Sequence, residues 1–383
     1  MSFSLPDYSL KVSTDRFGPY LFQIGCDASQ LETFFLRVND AQQRFSSSPF
    51  SQVAHLLEKE VLVSSIFGTN TIEGGTLTKE ETERALELNP AETQEYEQRR
   101  VLNIKAAYDL SRESAGSDEW SLDLEFFHSI HAAVTDQLPH KYNTPGKLRD
   151  NPEGVLTYVG NTQHGGQYKP PQHVRDIHKL LSSLVEFNIE LSNRDVPALI
   201  RAPVIHYYFE LIHPYWDGNG RVGRIIEATL LQQEGLRYAP FAQAGYYLKN
   251  IDQYFTLFNT CRKAAIKGNH YPNTPFMEFF LTGMLESLNL LHDRVNDLVR
   301  ILLFETRVKR LFDDKKINAR QYAIITQVFS LPKPLPLNTL RKSPWYVALY
   351  SRLTDKTARR DLTGLKELGL LAKNDRNEFW ACI

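Results

Sequence analysis

Long apolar runs are missing from this chain. No stretch of about 18 consecutive apolar residues occurs, so the sequence offers no membrane-spanning segment. The opening MSFSLPDYSLKVSTDRFG has neither a basic start nor an apolar core, and no secretory leader is expected. Cysteine is scarce. Cys26, Cys261 and Cys382 stand far apart with no metal-binding or redox spacing, which suits a reducing, cytoplasmic setting. Net charge is nearly absent, at −1, and neither an internal repeat nor a low-complexity tract occurs.

What is present reads as soluble and globular: 42% hydrophobic and 23% charged residues. The 383 residues exceed one ordinary core and allow two or three domains. The small net charge hides an asymmetry. From residue 305 onward 16 Lys and Arg face 8 Asp and Glu, whereas the rest of the chain has 28 against 37. A basic C-terminal piece on an acidic body points to a separate module, either one that meets nucleic acid or one with a merely solvated surface.

Apolar spacing predicts a mainly α protein. GPYLFQIG reads as a short strand or packed arm, and LETFFLRVNDAQQRF as a helix. Residues 51–67 form another, with Val53, Leu56, Leu57, Val61 and Ile66 near one face, and GTNTIEGG ends or interrupts it. Thr78 and Glu81 make a capping box for a helix that stops at Asn89–Pro90. Helical periodicity continues in TQEYEQRRVLNIKAAYDLS, LDLEFFHSIHAAVTDQL, 173–191, 196–212, 219–234, 250–267 and 275–304. Residues 140–172 differ, being rich in Gly, Pro and Asn around Val155, Thr157 and Val159, and they predict a small β-hairpin flap. Beyond 310 come a helix, a proline-rich stretch, a basic helix with Leu362, Leu365 and Leu368 inward, and a hairpin turning at Asn374–Asn377. That order is a winged helix-turn-helix pattern.

The densest chemistry lies in HPYWDGNGRVGR, residues 213–224. A buried helix precedes it and helical periodicity resumes after it, so the stretch is a tight loop running into a helix N-terminus. Gly218 and Gly220 let the backbone approach a ligand. Successive N–H groups there form an anion nest strengthened by the helix dipole. Arg221 and Arg224, three apart, leave on one side and suit bidentate phosphate recognition. Asp217 beside such a nest suits a hard cation such as Mg²⁺. His213 supplies a base that works near neutral pH. Together these describe a phosphate-centred transfer reaction.

The segment resembles the signature of the Fic (filamentation induced by cAMP) family, HPFx(D/E)GNGRxxR, departing only at Tyr215, whose hydroxyl needs a partner. LEFFHSIH, PGKLR, YKPP and FMEFFL extend the resemblance over roughly residues 50–290. It implies a helical core with a hairpin flap and a protein adenylyltransferase that moves AMP from ATP to a Ser, Thr or Tyr hydroxyl. His213 would be the base and Asp217 the Mg²⁺ ligand. Gly218, Asn219, Gly220 and Arg221 would hold the phosphate chain, and Arg224 the γ-phosphate. Asn250 and Tyr254 resemble positions lining an adenine pocket. His128, His131 and His206 lie within helical patterns and read as core or surface histidines rather than ligands.

A second resemblance lies upstream. Thr69, Glu73 and Gly74 in TNTIEG fit the family's inhibitory helix motif, (S/T)xxxE(G/N), whose Glu pairs with the second arginine, here Arg224. On this reading the enzyme silences itself, because carboxylate and phosphate compete for one guanidinium. The same Glu can also serve the removal of AMP. The expected organisation is 1–115 as a region carrying the inhibitory motif, 116–305 as the catalytic core and 310–383 as the winged-helix-like domain. Expected partners are a hydroxyl-bearing target protein, docked by strand addition on the flap near 154–170, and the chain itself through auto-AMPylation or a homodimer. No membrane partner is expected. The rival reading is a DNA-binding transcriptional regulator whose Fic part senses nucleotide, with Arg359 and Arg360 opening a recognition helix near Thr354 and Thr357.

Overall fold

A computed structural model describes residues 3–49, 53–117, 120–331 and 333–382. The chain divides into two compact units, the first ending at Asp293 and the second comprising mainly Arg294–Ile383.

In the first unit β1 (Ser9–Ser13) and β2 (Pro19–Gln23) pair antiparallel, with Val12 opposite Tyr20. The buried Asp176 carboxylate accepts the backbone N–H groups of Asp15, Arg16 and Phe17 and fixes the turn between them. Helices α1 (Ala28–Ser46), α2 (Ala54–Ile72), α3 (Lys79–Ala85), α4 (Tyr96–Ala115) and α5 (Leu124–Thr135) follow. A hairpin of β3 (Val159–Asn161) and β4 (Gly166–Tyr168) interrupts the helices. Then come α6 (Val174–Asn193), α7 (Ala198–Ile212), α8 (Asn219–Gln233), α9 (Ala239–Lys249), α10 (Ile251–Ile266) and α11 (Thr274–Asp313), within which the division between the units falls.

The centre of this unit is α7, apolar around its whole circumference and buried almost throughout, as such a pattern demands. Against it packs α8, which also meets α4 and α5. Because α4 packs on both α5 and α8, no domain break falls at residues 115–116; the expected N-terminal region and catalytic core share one interior.

Several boundaries differ from expectation. Residues 51 and 52 lie outside the described residues, but α2 runs on to Ile72 instead of stopping near 67. It ends within GTNTIEGG, just ahead of Gly74 and Gly75, and Gly68 lies inside it, where a Cβ would sit 3.0 Å from the Ala244 backbone, so the glycine permits a close crossing with α9. Leu56 faces outward while Leu57, Val61 and Ile66 are buried. Helix α9 was not expected, although Pro240 in its first turn is a position where proline is tolerated. The capping box of Thr78 and Glu81 forms, yet α3 closes at Ala85, ahead of Asn89. Only Val159 of the three expected flap residues lies in a strand; Thr157 instead donates its N–H to the Gln172 side chain.

The second unit builds its own core from Ile324, Ile325, Val328, Leu340, Leu365 and Phe379 among others. Its elements after α11 are α12 (Ala319–Phe329), β5 (Leu335–Pro336), α13 (Leu337–Lys342), α14 (Pro344–Tyr350), α15 (Asp355–Glu367), β6 (Leu371–Lys373) and β7 (Glu378–Ala381). The sheet is antiparallel in the order β5-β7-β6. Buried Asp361 on α15 is held by Arg320 Nε at 2.8 Å and by the Tyr350 hydroxyl at 2.9 Å. Leu362 and Leu365 are buried and Leu368 partly so, as their spacing requires. Among the described residues no helix is long and apolar enough to cross a membrane.

Candidate active site

Helix α7 ends because His213 turns left-handed, at φ +50°. A non-glycine residue adopts that region only when its surroundings over-determine it. Arg149 does so. Its Nε donates to the His213 carbonyl at 2.7 Å, and its backbone N–H to the Pro214 carbonyl at 2.9 Å. The rest of the wholly buried guanidinium bonds Asn151 Oδ1 and the Pro171 carbonyl. Burial pushes Arg149 down to about 10, still charged at neutral pH.

The loop that follows is held by its own side chains. Tyr215 is buried, its ring stacked on His131 at 3.7 Å and its hydroxyl 3.0 Å from His128 Nδ1. Asn219 Oδ1 accepts the Tyr215 N–H at 3.0 Å and its Nδ2 donates to the Tyr215 carbonyl at 2.8 Å. His131 Nδ1 accepts the Gly146 N–H, so its other nitrogen carries the proton and donates to the Asp217 carbonyl at 3.2 Å. Arg221 Nη1 donates to the Val134 carbonyl and Nη2 to Asp217 Oδ2, each at 2.8 Å. Burial works against the Asp217 carboxylate, but Arg221 beside it holds it below its usual range.

One turn further along α8, Arg224 Nη2 donates to Glu73 Oε1 at 2.7 Å and to the Thr69 carbonyl at 3.4 Å. Glu73 arrives from just past the end of α2, its carbonyl held by Arg100 at 3.1 Å and the chain turned by Gly74 at φ +82°. Its carboxylate rests on the first turn of α8, where a Cβ on Gly220 would fall 2.1 Å from Oε1. No side chain caps this helix start, and a carboxylate there meets the positive dipole end. Burial opposes the Glu73 charge, yet Arg224 draws it below the usual carboxylate range.

A cavity of about 280 Å³ opens between these groups, lined by Glu73, Glu210, His213, Gly220, Arg224 and Tyr254, with the hairpin at its edge. The His213 imidazole is pushed down to about 4, first by burial and then by the Arg149 charge, so it stands neutral at pH 7. Burial pushes Glu210 up to about 7, with the Glu73 charge adding to the effect. Glu210 Oε2 lies 3.9 Å from His213 Nδ1. The hairpin is tied down by Asn259, whose Nδ2 donates to the carbonyls of His164 and Gly166 at 3.0 and 2.6 Å. A neutral imidazole, a guanidinium and a helix N-terminus around one cavity can deprotonate a hydroxyl beside a bound phosphate chain.

Residues 121–231 match the Fic/DOC family. The chain carries a Fic/DOC domain. Its curated relatives include a probable protein adenylyltransferase of Aquifex aeolicus, 25% identical over 203 residues, or 50% of this chain and 57% of that protein. Protein adenylyltransferase Fic of Nematostella vectensis is 25% identical over 228 residues, 58% of this chain and 46% of its own length. The chain thus spans about half the length of these relatives. Among solved structures, a Fic family protein of Desulfovibrio desulfuricans aligns over 91% of this chain and 94% of its own, with a TM-score of 0.55 and 19% identity. Fic-1 of Caenorhabditis elegans aligns over 70% of this chain and 74% of that one, with a TM-score of 0.54 and 18% identity. At these identities the structures establish the fold.

Of the residues expected at the site, the Fic/DOC fold brings His213, Gly220 and Arg224 to the cavity, and Glu73 and Tyr254 join them from outside the matched stretch. Others, Asp217 and Gly218 among them, stand outside the cavity wall. The Asn219 side chain staples the loop backbone and the Arg221 guanidinium braces Asp217, so neither lines the cavity. Asn250 caps α9 through the Tyr246 carbonyl and is not part of the pocket wall. Tyr254 directs its buried hydroxyl to Arg224 at 3.3 Å and His206 at 3.1 Å. Two residues at the site were not foreseen. Glu210 stands three positions before His213, a spacing that places both on one helix face. Arg149 closes the PGKLR segment, and nothing local in the sequence announced its burial.

Proposed function

We propose that this chain is a protein adenylyltransferase held silent by Glu73. The observation that carries the reading is the Glu73–Arg224 pair, 2.7 Å apart, in the same cavity as His213. With Glu73 withdrawn, Arg224 and the first turn of α8 would receive the outer phosphates of ATP. Neutral His213 takes the proton from a Ser, Thr or Tyr hydroxyl on the target. The hydroxyl oxygen forms a bond to the α-phosphorus as the bond to the bridging oxygen breaks, and pyrophosphate leaves. The imidazolium then gives up its proton to solvent.

Among the described residues no cluster of His, Cys, Asp or Glu would cage a metal. A single carboxylate plus phosphate oxygens is the usual provision for Mg²⁺, and Asp217, one-third exposed with one oxygen on Arg221, fits that donor set. Magnesium bound there would neutralise charge on the phosphate chain. The flap edge would align an extended target segment by strand pairing, and Glu73 would also orient water for the removal of AMP.

ATP labelled at the α- or γ-position distinguishes the reactions. In a Glu73→Gly background, protein should gain α-label and no γ-label, and His213→Ala should abolish the gain. Transfer of γ-label would overturn the reading.

A second reading concerns the C-terminal unit. Its element order α12, β5, α13, α14, α15, β6, β7 with sheet order β5-β7-β6 supports a winged helix. Lys356, Arg359 and Arg360 lie on the exposed side of α15, which favours a nucleic-acid or docking role. Gel shifts with duplex DNA that weaken steeply with salt would support DNA contact; no shift at low salt would remove it.

A further inference from the structure

Behind Arg224 lies a chain of buried polar groups that the proposed reaction does not use. The Tyr247 hydroxyl is 2.8 and 3.0 Å from the two Glu227 oxygens. Glu227 Oε2 is 2.7 Å from His206 Nδ1, His206 Nε2 is 3.1 Å from the Tyr254 hydroxyl, and that hydroxyl is 3.3 Å from Arg224 Nη1. Every member is at most 3% exposed. Buried polar groups of this kind must satisfy one another.

For a neutral His206 imidazole the donors and acceptors have one consistent order. The Glu227 carboxylate only accepts, so the Tyr247 hydroxyl and the Nδ1–H of His206 both donate to it. That leaves His206 Nε2 with a lone pair, and the Tyr254 O–H donates there. The Tyr254 oxygen is then free to accept from Arg224. The relay is drawn from α7, α8, α9 and α10, whereas Glu73 comes from the end of α2. Arg224 therefore has one face held by the body of the domain and another, at Nη2, held by the inhibitory segment.

We propose that Tyr254, His206, Glu227 and Tyr247 form a positioning relay that keeps Arg224 in one pose whether its other partner is the Glu73 carboxylate or the terminal phosphate of ATP. The inference rests on the adenylyltransferase reading above. It assigns Tyr254 to the phosphate end of the nucleotide through Arg224. The relay explains how the site exchanges one anion for another without rebuilding itself: the guanidinium is already ordered when the carboxylate leaves.

The test is calorimetric binding of ATP, ADP and AMP, with magnesium, to full-length Glu73→Gly protein and to that protein carrying Tyr254→Phe or Glu227→Gln. Tyr254→Phe removes the hydroxyl that accepts from Arg224 and donates to His206. Glu227→Gln keeps the shape but can donate to His206 Nδ1. With its NH2 towards His206 the proton moves to Nε2 and the Tyr254 O–H turns towards the guanidinium, donor against donor; with its carbonyl there the relay keeps its order. Tyr254→Phe should bind ATP about tenfold more weakly, with AMP affinity unchanged, and Glu227→Gln should lose no more than that. Should Glu227→Gln fail to fold, Tyr254→Phe alone decides. Equal losses for ATP and AMP would indicate a merely structural role and overturn the proposal. Unchanged ATP affinity in both variants would overturn it while leaving the adenylyltransferase reading intact. If Glu73→Gly binds ATP no better than the native chain, or prefers AMP, both fall.

Discussion

Glu73 Oε1 and Arg224 Nη2 meet at 2.7 Å although their residues are 151 positions apart. The same oxygen rests on Gly220, at a helix start with no side-chain cap. One carboxylate thus pairs with the guanidinium and lies against the first turn of α8, the two features that would otherwise bind a phosphate chain.

This contact gives Gly220 a role distinct from flexibility, since its backbone is helical. Gly220→Ala should destabilise the native chain by about 1–3 kcal/mol, because the new methyl collides with Glu73. In Glu73→Gly protein the same change should be much milder. Urea denaturation of the four proteins in a double-mutant cycle reads the coupling, and additive effects would contradict the contact.

Arg149 is expected to matter more than its distance from the phosphate site suggests. Arg149→Met leaves the His213 and Pro171 carbonyls and the Asn151 side chain without their donor. It also frees His213 from its left-handed conformation. A loss of about 3 kcal/mol or more is expected in urea denaturation, together with loss of any transfer activity. A variant of native stability would refute the clamp.

Two partly exposed titratable groups at the cavity give opposite pH slopes. Glu210 is raised from 4.5 to about 7, so its contribution is full below its unfolded value and fades as pH rises through about 7. His213 is lowered from 6.5 to about 4, so its contribution is full above its unfolded value and fades as pH falls through about 4. Glu210→Gln removes the first slope and leaves the second. Stability of that variant should therefore climb more steeply than that of the native chain between roughly pH 4.5 and 6.5. Parallel curves would show that Glu210 is not raised.

Tyr215 stands where the family motif has Phe, and its hydroxyl has found His128. Tyr215→Phe should cost about 1 kcal/mol and leave the conformation of His213 and the affinity for ATP unchanged. A change in nucleotide affinity would show that the hydroxyl reaches further than its partner.

The sequence made the loop legible because its chemistry is local: base, glycines and arginines lie within twelve residues. It did not reveal that Asn219 and Arg221 face inward, since spacing along a helix does not say which face a neighbouring element covers. Arg149 and the His206–Glu227 pair were hidden because burial of a charged side chain depends on contacts far away in the chain. Gly74 and Gly75 follow the end of α2 as GTNTIEGG predicts, but the close crossing at Gly68 shows only once the partner helix α9 is known. The hairpin began four residues later than Val155 because Asn151 and Gln172 satisfy the backbone and side chain of Thr157 in place of a strand. Glu73 was found by resemblance, and only the fold explains why residue 73 can reach residue 224.

If Glu73 silences AMP transfer by occupying Arg224, its removal must speed the labelling of protein by α-labelled ATP, measured side by side for native and Glu73→Gly chains with Glu73→Gly/Arg224→Ala as control. The rate should rise at least about tenfold on removing the carboxylate, and the rise should vanish in the control. Equal rates in native and Glu73→Gly proteins would contradict it.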